Sequence, residues 1–335
     1  MGTLPLSVLD LSPITQGSNA GQSLRNSAEL ARHAERLGYN RFWMAEHHSM
    51  PGIASAATAV ALAYVGTQTS SIRIGSGGIM LPNHAPLVIA EQFGTLESLF
   101  PGRVDLGLGR APGTDQAAAY AMRRNLASDA DRFPQDVVEL MGYFKRENGR
   151  VRAIPGQGLN IPIWILGSSL FGAELAAMLS LPYAFASHFA PQLMMQAISL
   201  YRERFQPSDQ LDNPYVMLGF NAIVADTDEE AELLATSAQQ AFVSLRAGMP
   251  IQLPPPKKAY ADELPLEAHA ILRSVLSASA IGSPATARRQ LDDFVERTRP
   301  DELIVTAQVY DFEARLRSYE LLMEAVRRPA HAFAT

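Results

Sequence analysis

The stretch RFWMAEHHSM (Arg41–Met50) joins a short apolar run directly to a glutamate and two histidines. The run Arg41–Ala45 has the length and composition of a buried β-strand. Three titratable side chains, Glu46, His47 and His48, therefore stand at the end of this predicted strand. The residues that follow the other predicted strands show whether this arrangement is general.

Short β-rich runs alternate with longer amphipathic helical patterns along the chain. Several of these runs are apolar throughout, which is typical of parallel strands buried on both faces. The predicted strands are Leu4–Leu11, Arg41–Ala45, Ser71–Ser76, Arg103–Gly109, Pro162–Gly167, Tyr183–Ser187, Val216–Ala225 and Asp301–Thr306. Eight strands alternating with helices predict an α/β fold of the (β/α)8 TIM-barrel type, and a doubly wound sheet is the alternative.

The composition excludes several classes of protein. The chain has 335 residues, of which 47% are hydrophobic and 19% charged, with a formal net charge of −6 and no cysteine. No block of like charges indicates a nucleic-acid surface, and the apolar runs are shorter than the roughly 18 residues that span a bilayer. The absence of cysteine excludes disulfides, thiolate nucleophiles and cysteine-ligated metal sites. The start of the sequence resembles no secretory leader, so we expect a cytoplasmic protein. From the charge pattern and the short apolar runs we expect that it binds neither nucleic acid nor membrane. We expect residues 1–335 to form a single domain.

One segment interrupts the alternation of strands and helices between the seventh and eighth predicted strands. We interpret residues of about 248–280 as an insertion, part loop and part helix. The prolines of MPIQLPPPKKAYADELP (Met249–Pro265) exclude a helix in this part of it. With few apolar anchors, this loop is expected to pack weakly on the surface.

Polar, glycine-rich and titratable residues collect at the carboxyl ends of the predicted strands. The first six strands are followed by SPITQGSN, EHH, GSGGIMLPNHAP, GLGRAPGTD, GSS and SHFAP, whereas the opposite ends read LGYN, TQTSS, FPG and LSLP. The carboxyl ends form one face of a βα barrel, and active sites are built there. Glu46, His47 and His48 are therefore expected on the rim of a shared pocket, with Glu46 as an orienting or structural group.

The segment LGSSLFGAELAAML (Leu166–Leu179) ends a strand, turns at a glycine and opens a helix with two serines. Backbone N–H groups, serine hydroxyls and the helix dipole favour an anion there, although an ordinary N-cap is the simpler interpretation. Arg110 ends the adjacent strand, and its guanidinium matches phosphate oxygens. Together, Arg110, Ser168 and Ser169 predict the site of a phosphorylated cofactor.

A second glycine-rich stretch, GSGG (Gly75–Gly78), follows the third predicted strand. Its glycines can approach a flat ring closely, and a flexible turn is the alternative interpretation. A Rossmann dinucleotide site would require G-x-G-x-x-G directly after the first strand, where the sequence has none. The glycines therefore indicate a place where a ligand approaches the backbone closely. They do not indicate a Rossmann dinucleotide site.

The clustered histidines also raise the question of a metal ion. Adjacent residues on a regular element point apart, so His47 and His48 are poorly spaced as a pair of ligands. His84 and His188 follow other predicted strands and could join one of them. On this spacing we expect no bound metal.

Taken together, these motifs resemble those of the bacterial luciferase-like, flavin-dependent monooxygenase family. The matching motifs are AEHH, GSGGIMLPNHAPLVIAEQF, PGRVDLGLGRAPGTD, ILGSS and AFASHFAP, in order and with similar spacing between Leu6 and Glu324. The resemblance implies a (β/α)8 barrel that binds flavin at its carboxyl-end face. It also implies that reduced flavin and O2 are used to oxygenate an organic substrate.

The resemblance assigns roles to individual residues. His47 matches the catalytic histidine, and Gly77 and Gly78 match a pair joined by a non-prolyl cis peptide beneath the flavin ring. The other cofactor residues implied are Arg110, Ser168, Ser169 and Gly172 around the phosphate, and Ala186, Ser187 and His188 along the ring pocket. In one departure, Gly109 stands where the light-producing luciferase subunit has a reactive cysteine, so luminescence is not implied.

The resemblance further implies a two-component enzyme. FMN would arrive as FMNH2 from a separate NAD(P)H:flavin reductase, because no second nucleotide motif is visible. An oxidoreductase of the same fold that uses deazaflavin F420 and a non-catalytic flavin-binding protein are the alternatives. The substrate is expected to be a small organic molecule. The alanine-rich segment Ile53–Thr69, together with Leu87–Phe100, resembles the family's dimer surface, so we expect a homodimer.

Overall fold

The computed structural model describes residues 4–110, 121–122, 130–145 and 150–327. The described part of the chain contains a sheet of parallel strands with helices between them. The strands are β1 (Leu6–Asp10), β2 (Arg41–Met44), β3 (Arg73–Met80), β4 (Val104–Gly109), β5 (Ile163–Gly167), β6 (Tyr183–Phe185), β7 (Val216–Val224), β8 (Ser279–Gly282) and β9 (Glu302–Thr306).

Eight of these strands close into a TIM barrel. The hydrogen-bonded order runs from β6 through β5, β4, β3, β2 and β1 to β9 and β7, and β7 pairs with β6 to close the ring. All eight predicted strands are present, which confirms the predicted fold. The ninth strand, β8, lies outside the ring and pairs only with the end of β7, residues 221–224. It falls at the end of the predicted insertion and was missed, because four residues without strong periodicity do not predict a strand.

Helices connect the strands and cover the outside of the barrel. They are α1 (Ala20–Leu37), α2 (Thr58–Thr67), α3 (Pro86–Leu99), α4 (Phe133–Phe144), α5 (Leu170–Met178), α6 (Met194–Arg204), α7 (Asp228–Arg246), α8 (Leu266–Val275), α9 (Pro284–Thr298) and α10 (Phe312–Arg327). Helix α1 shows how the sequence sets their ends. The Asn19 side chain accepts a hydrogen bond from the Gln22 N–H, and Gly38 ends the helix in the left-handed region at φ 77°.

Helix α2 begins five residues later than the predicted helical segment Ile53–Thr69. The Ser55 hydroxyl donates to the Leu11 carbonyl, and the Thr58 hydroxyl donates to the Ala45 carbonyl. These contacts tie the residues before the helix to the loops after β1 and β2. The side-chain hydrogen bonds compete with helical ones, which the alanine-rich composition did not reveal.

The proline-rich part of the predicted insertion contains no α-helix, as expected, but it is anchored more firmly than expected. Leu253 is 2% exposed, its N–H donates to the Ile14 carbonyl, and its own carbonyl accepts from the Gln16 N–H, both at 2.9 Å. A Cβ on Gly52 would lie 2.3 Å from the Ile251 carbonyl oxygen, so the backbones of the two loops are in direct contact. Residues 251–253, here called the strap, therefore cross the loops that follow β1 and β2.

A cluster of charged side chains fills the amino-terminal end of the barrel interior. Arg41 Nη1 lies 2.8 Å from Asp105 Oδ2, and Arg41 Nε lies 3.0 Å from Glu302 Oε1. Arg73 Nη2 lies 2.6 Å from Asp105 Oδ1. Two arginines thus balance two buried carboxylates, which satisfies the requirement that buried charges be paired. This cluster closes the lower end of the barrel.

The Trp43 indole occupies the middle of the barrel, directly above the charged cluster. Its Nε1 donates to Asp105 Oδ2 at 3.2 Å, and its ring meets Trp164 edge-on with centroids 5.2 Å apart. The indole lies over β3 and β4, where glycines take the place of inward side chains. A Cβ on Gly75 would lie 2.7 Å from Trp43 Nε1, and a Cβ on Gly77 would lie 3.2 Å from Trp43 Cε3. The middle of the barrel is therefore packed and is not a channel.

No helix in the described ranges is both long enough and apolar enough to cross a membrane.

The close approach of β3 and β4 generates a stability prediction. A Cβ on Gly107 would lie 2.2 Å from the Ser76 carbonyl oxygen, a backbone atom that cannot rotate away. We expect Gly107→Ala to lower the free energy of unfolding by about 2 kcal/mol or more, measured by urea denaturation.

Gly142→Ala is the matched control for this substitution. Gly142 lies in α4, where an added methyl group would have no neighbour within 4 Å. Alanine there should be neutral or stabilise the helix by up to about 1 kcal/mol. Equal effects of the two substitutions would show that the contact between β3 and β4 does not constrain the barrel.

Candidate active site

The residues singled out in the sequence meet on one rim of the barrel. His47 follows β2, Gly77 and Gly78 lie in β3, and Arg110 follows β4. The serine pair follows β5 and His188 follows β6. These five strands are consecutive neighbours in the ring and run parallel, so their carboxyl ends form one continuous arc. The structure thus brings the candidate residues together on the carboxyl-end face.

His47 follows β2, and its imidazole lies near His188, which follows β6. Its Nδ1 is buried and has no hydrogen-bond partner among the described residues. Burial lowers the pKa of His47 to about 4, and the nearby Glu46 charge offsets this only in part. The ring is therefore neutral at pH 7. The desolvation that causes this shift cannot be read from the sequence.

His188 presents a second neutral imidazole to the same space. Burial, together with the nearby His47, lowers the pKa of His188 to about 4. Its Nδ1 is also buried without a partner among the described residues. A Cβ on Gly219 would lie 2.0 Å from His188 Nδ1, so the ring fits only because β7 has glycine there. The Asn221 amide donates to the His188 carbonyl at 2.9 Å and fixes the loop.

Gly219 and Asn221 were not identified from the sequence. The available signal was a glycine in the middle of an otherwise apolar strand, which often marks a close approach. Ser187, which was identified, is fully buried and donates its hydroxyl to the Gly219 carbonyl at 2.6 Å. It therefore links β6 to β7 and does not present its hydroxyl to the rim. Its neighbour Ala186 lies half-buried beneath His188.

The peptide bond between Gly77 and Gly78 is cis, as the resemblance implies. Neither residue has room for a side chain. A Cβ on Gly77 would lie 2.7 Å from Leu9 Cδ1, and one on Gly78 would lie 2.8 Å from the Gly107 carbonyl oxygen. The Leu9 and Trp43 side chains and the backbone of β4 therefore pack directly against this part of β3, which only glycine permits.

The arginine and the serine pair form a possible anion site. The Arg110 guanidinium carbon lies 4.2 Å from the ring centroid of Phe171, in the first turn of α5. Ser169 is the N-cap residue of α5, and its side chain makes no capping hydrogen bond within the helix. Gly172 lies in the first turn of α5, where a Cβ would make ordinary contacts, 3.4 Å from Tyr183 Cε2 and 3.8 Å from the Gly167 Cα. A guanidinium and a helix N-terminus therefore face the same part of the rim.

Phe171 was missed in the sequence, although an aromatic residue two positions after Ser169 was a usable signal. Stacking on an aromatic ring holds a guanidinium in one orientation while leaving its N–H groups available. Phe171 therefore positions Arg110 for an anion at the start of α5.

Glu46 faces away from the pocket and connects the ends of β2 and β3. It is 1% exposed. Its Oε1 accepts hydrogen bonds from His48 Nε2 at 2.7 Å and His84 Nε2 at 2.8 Å, and its Oε2 accepts from the Met80 N–H at 3.1 Å. Burial alone would raise the pKa of Glu46, but the hydrogen bonds from His84, His48 and Met80 outweigh it and hold the pKa below its usual value. The orienting role expected for Glu46 fits this geometry.

Known proteins resemble this chain over nearly its whole length. A family model described as luciferase-like monooxygenase matches residues 4–301. A luciferase-like monooxygenase of Escherichia coli (strain K12) is 52% identical over 326 residues, which cover 96% of this chain and 97% of the relative. The crystal structure of apo-MsnO8 has a TM-score of 0.86 at 34% identity, covering 96% of this chain and 98% of that chain.

More distant solved structures share the fold. The oxygenating constituent of 3,6-diketocamphane monooxygenase from Pseudomonas putida, in complex with FMN, has a TM-score of 0.72 at 18% identity and covers 97% of this chain and 98% of its own. An F420-dependent secondary alcohol dehydrogenase, in complex with an F420-acetone adduct, has a TM-score of 0.68 at 17% identity. The match covers 97% of this chain and 100% of that chain. At these identities the likeness concerns the fold alone.

The burial of His47 predicts how stability depends on pH. Between about pH 4 and 6.5 the unfolded chain binds a proton at this residue that the folded chain does not, so stability falls as pH falls through this window. From pH 7 to pH 5 the free energy of unfolding should fall in both proteins. We expect the fall in His47→Asn to be smaller than that in the wild type by about 1–2 kcal/mol, measured by urea denaturation. His269→Asn, in α8 away from the rim, is the control and should follow the wild-type pH dependence. An unchanged pH dependence in His47→Asn would show that His47 is not desolvated.

Proposed function

Because this chain belongs to the luciferase-like monooxygenase family, we propose that it binds reduced FMN on its carboxyl-end rim and uses it with O2 to oxygenate a small organic substrate. The observation that carries the proposal is the Arg110 guanidinium stacked on Phe171 at the start of α5, on the same rim as His47. A phosphate site and a polar group for chemistry are thereby present on one face.

The phosphate of FMN would lie between Arg110 and the start of α5. The guanidinium can donate two parallel hydrogen bonds to phosphate oxygens, and the first N–H groups of α5 have no partners within the helix. The Ser168 and Ser169 hydroxyls add further donors. One guanidinium beside one helix N-terminus matches the terminal phosphate of FMN.

The isoalloxazine ring would lie against the backbone of β3. Gly77 and Gly78, which are joined by a cis peptide, are the residues that the resemblance implies beneath this ring. When bound, reduced FMN supplies the electrons that activate O2 for transfer of one oxygen atom to the substrate. Trp43 and the charged cluster close the barrel beneath the site, which keeps bulk water from entering from below.

His47 and His188 would hold the substrate and manage protons. Both rings are neutral at pH 7, so each carries one N–H donor and one acceptor nitrogen. A ring nitrogen of either imidazole that reaches the substrate could pair with a polar oxygen or take a proton as it is transferred.

Reduced FMN would be supplied by a separate NAD(P)H:flavin reductase. The sequence has no G-x-G-x-x-G motif after its first strand, so a second nucleotide site of the Rossmann type is not expected on this chain. Oxygen uptake in the presence of FMNH2 and a panel of aldehydes, ketones and thioethers is the direct test. Substrate-dependent uptake above the rate of free-flavin oxidation supports the proposal. Tight binding of F420 with no binding of FMN would replace it by the F420-dependent alternative.

Substitutions of His47 and Arg110 separate chemistry from cofactor binding. His47→Ala should leave FMN affinity within about tenfold, because the phosphate contacts lie elsewhere. Product formation should fall about 10²-fold or more, the usual scale for loss of a proton-transfer group. Arg110→Ala should weaken FMN binding, with turnover partly restored at high FMN. Fluorescence titration and product analysis measure the two quantities.

Arg289→Ala is the control. Arg289 is exposed on α9, which follows β8 and not one of the five strands that carry the candidate residues. It should change neither FMN affinity nor turnover. Normal turnover in His47→Ala would assign the histidine a structural role, and unchanged FMN affinity in Arg110→Ala would remove the proposed phosphate site.

We further propose a homodimer that buries the outer faces of α2 and α3. These neighbouring helices carry exposed apolar side chains, namely Val60 (72% exposed), Tyr64 (43%), Val88 (44%) and Leu99 (61%). Contiguous exposed apolar side chains are typical of association surfaces. Light scattering should give twice the monomer mass of 36.4 kDa.

The double variant Val60→Asp, Tyr64→Asp should give the monomer mass, because it places two charges in the proposed interface. Val138→Asp is the control, since Val138 is 53% exposed on α4, outside this surface. A wild-type chain of monomer mass at micromolar concentration would exclude the dimer.

A further inference from the structure

Glu46, His48 and His84 form a cluster beside the proposed active site that the proposed reaction does not use. One nitrogen or oxygen from each residue lies within 4.8 Å of the other two. The two histidine Nε2 atoms lie 2.7 and 2.8 Å from the same carboxylate oxygen, Glu46 Oε1. From the sequence, His84 was considered as a partner of His47 or His48, but Glu46 was not included.

We propose that this cluster is a binding site for a divalent transition-metal ion of the zinc type. Two imidazole nitrogens and one carboxylate oxygen are a ligand set found in zinc sites that keep a fourth position open. Nitrogen ligands disfavour Ca²⁺ and Mg²⁺, which prefer oxygen. An ion between the three groups would require only small movements, because the donor atoms already converge on one point.

The electrostatics of the cluster support a cation. Glu46 is a carboxylate that is 1% exposed, and among the described residues it forms no ion pair with lysine or arginine. Buried charges are normally paired with an opposite charge or coordinate a metal. The buried Glu46 carboxylate supplies a negative charge that a divalent ion would complement.

The surroundings supply the orientation and access that a metal site needs. The Met80 N–H donates to the second carboxylate oxygen of Glu46, which leaves Oε1 directed at the two imidazoles. The side chains of His48 and His84 are 21% and 28% exposed, so an ion can reach the cluster from solvent. On binding, each imidazole would carry its hydrogen on Nδ1 and offer Nε2 to the ion.

The ion would connect two parts of the rim. Glu46 and His48 flank His47 after β2, and His84 lies beyond the short helical turn Leu81–Asn83 after β3. A metal ion would replace two hydrogen bonds by three coordinate bonds across this gap. Since it binds the folded chain, it should raise the thermal unfolding midpoint with increasing metal concentration.

The test is calorimetric titration of Zn²⁺ into the full-length, EDTA-treated protein without a histidine tag. We expect one site per chain with a dissociation constant on the order of 10 µM or below. His84→Gln and His48→Gln should each weaken binding at least about tenfold. Glutamine can keep the N–H donor to Glu46 while it is a poor zinc ligand, so these variants should fold with near wild-type thermal stability in the absence of metal.

Two further variants decide where the ion binds. His269→Gln, on α8, and His47→Ala should each retain the wild-type affinity for Zn²⁺. Absence of saturable binding, or equal binding in His84→Gln, His48→Gln and wild type, would overturn the proposal. Loss of binding in His47→Ala alone would place the ion on the His47 and His188 pair and would also overturn it. None of these readouts depends on FMN or on turnover.

Discussion

The packing of one indole ring determines where this barrel is filled and where it is open. Trp43 projects from β2 into the axis and lies over β3 and β4, which have glycine at the inward positions beside it. Beneath it, Arg41 and Arg73 pair with Asp105 and Glu302. The lower part of the interior is therefore occupied by large or charged groups. The space above the indole remains for a ligand.

The level of the indole also determines the level of the reactive groups. Side chains of the same direction recur every second residue along a strand. On β2 the inward positions above Trp43 are Ala45 and then His47. His188 lies in the turn that follows β6, where it is close enough to His47 for the two rings to share one environment.

The strands of the barrel and the membership of the rim could be predicted from the sequence because both depend on local patterns. Buried parallel strands are short apolar runs, and their polar carboxyl ends lie on one face. Contacts between distant segments could not be predicted in this way. Glu46 and His84 are separated by 38 positions in the chain, and nothing local pairs them. The strap was also missed, because a single buried leucine among prolines gives no periodic signal. The desolvation of His47 belongs to the same class of missed features, since only the surrounding residues of several strands lower its pKa to about 4.

The hydrogen-bonded carboxylate of Glu46 and the pocket-facing imidazole of His47 belong to consecutive residues. The two environments are therefore separated by one peptide unit and depend on the register of β2. Removing one residue between Trp43 and Glu46 would turn the carboxylate toward the ligand space and the imidazole toward His84. The number of residues between Trp43 and Glu46 is therefore constrained. Descendants of this sequence can vary their chemistry here by substitution but not by insertion or deletion.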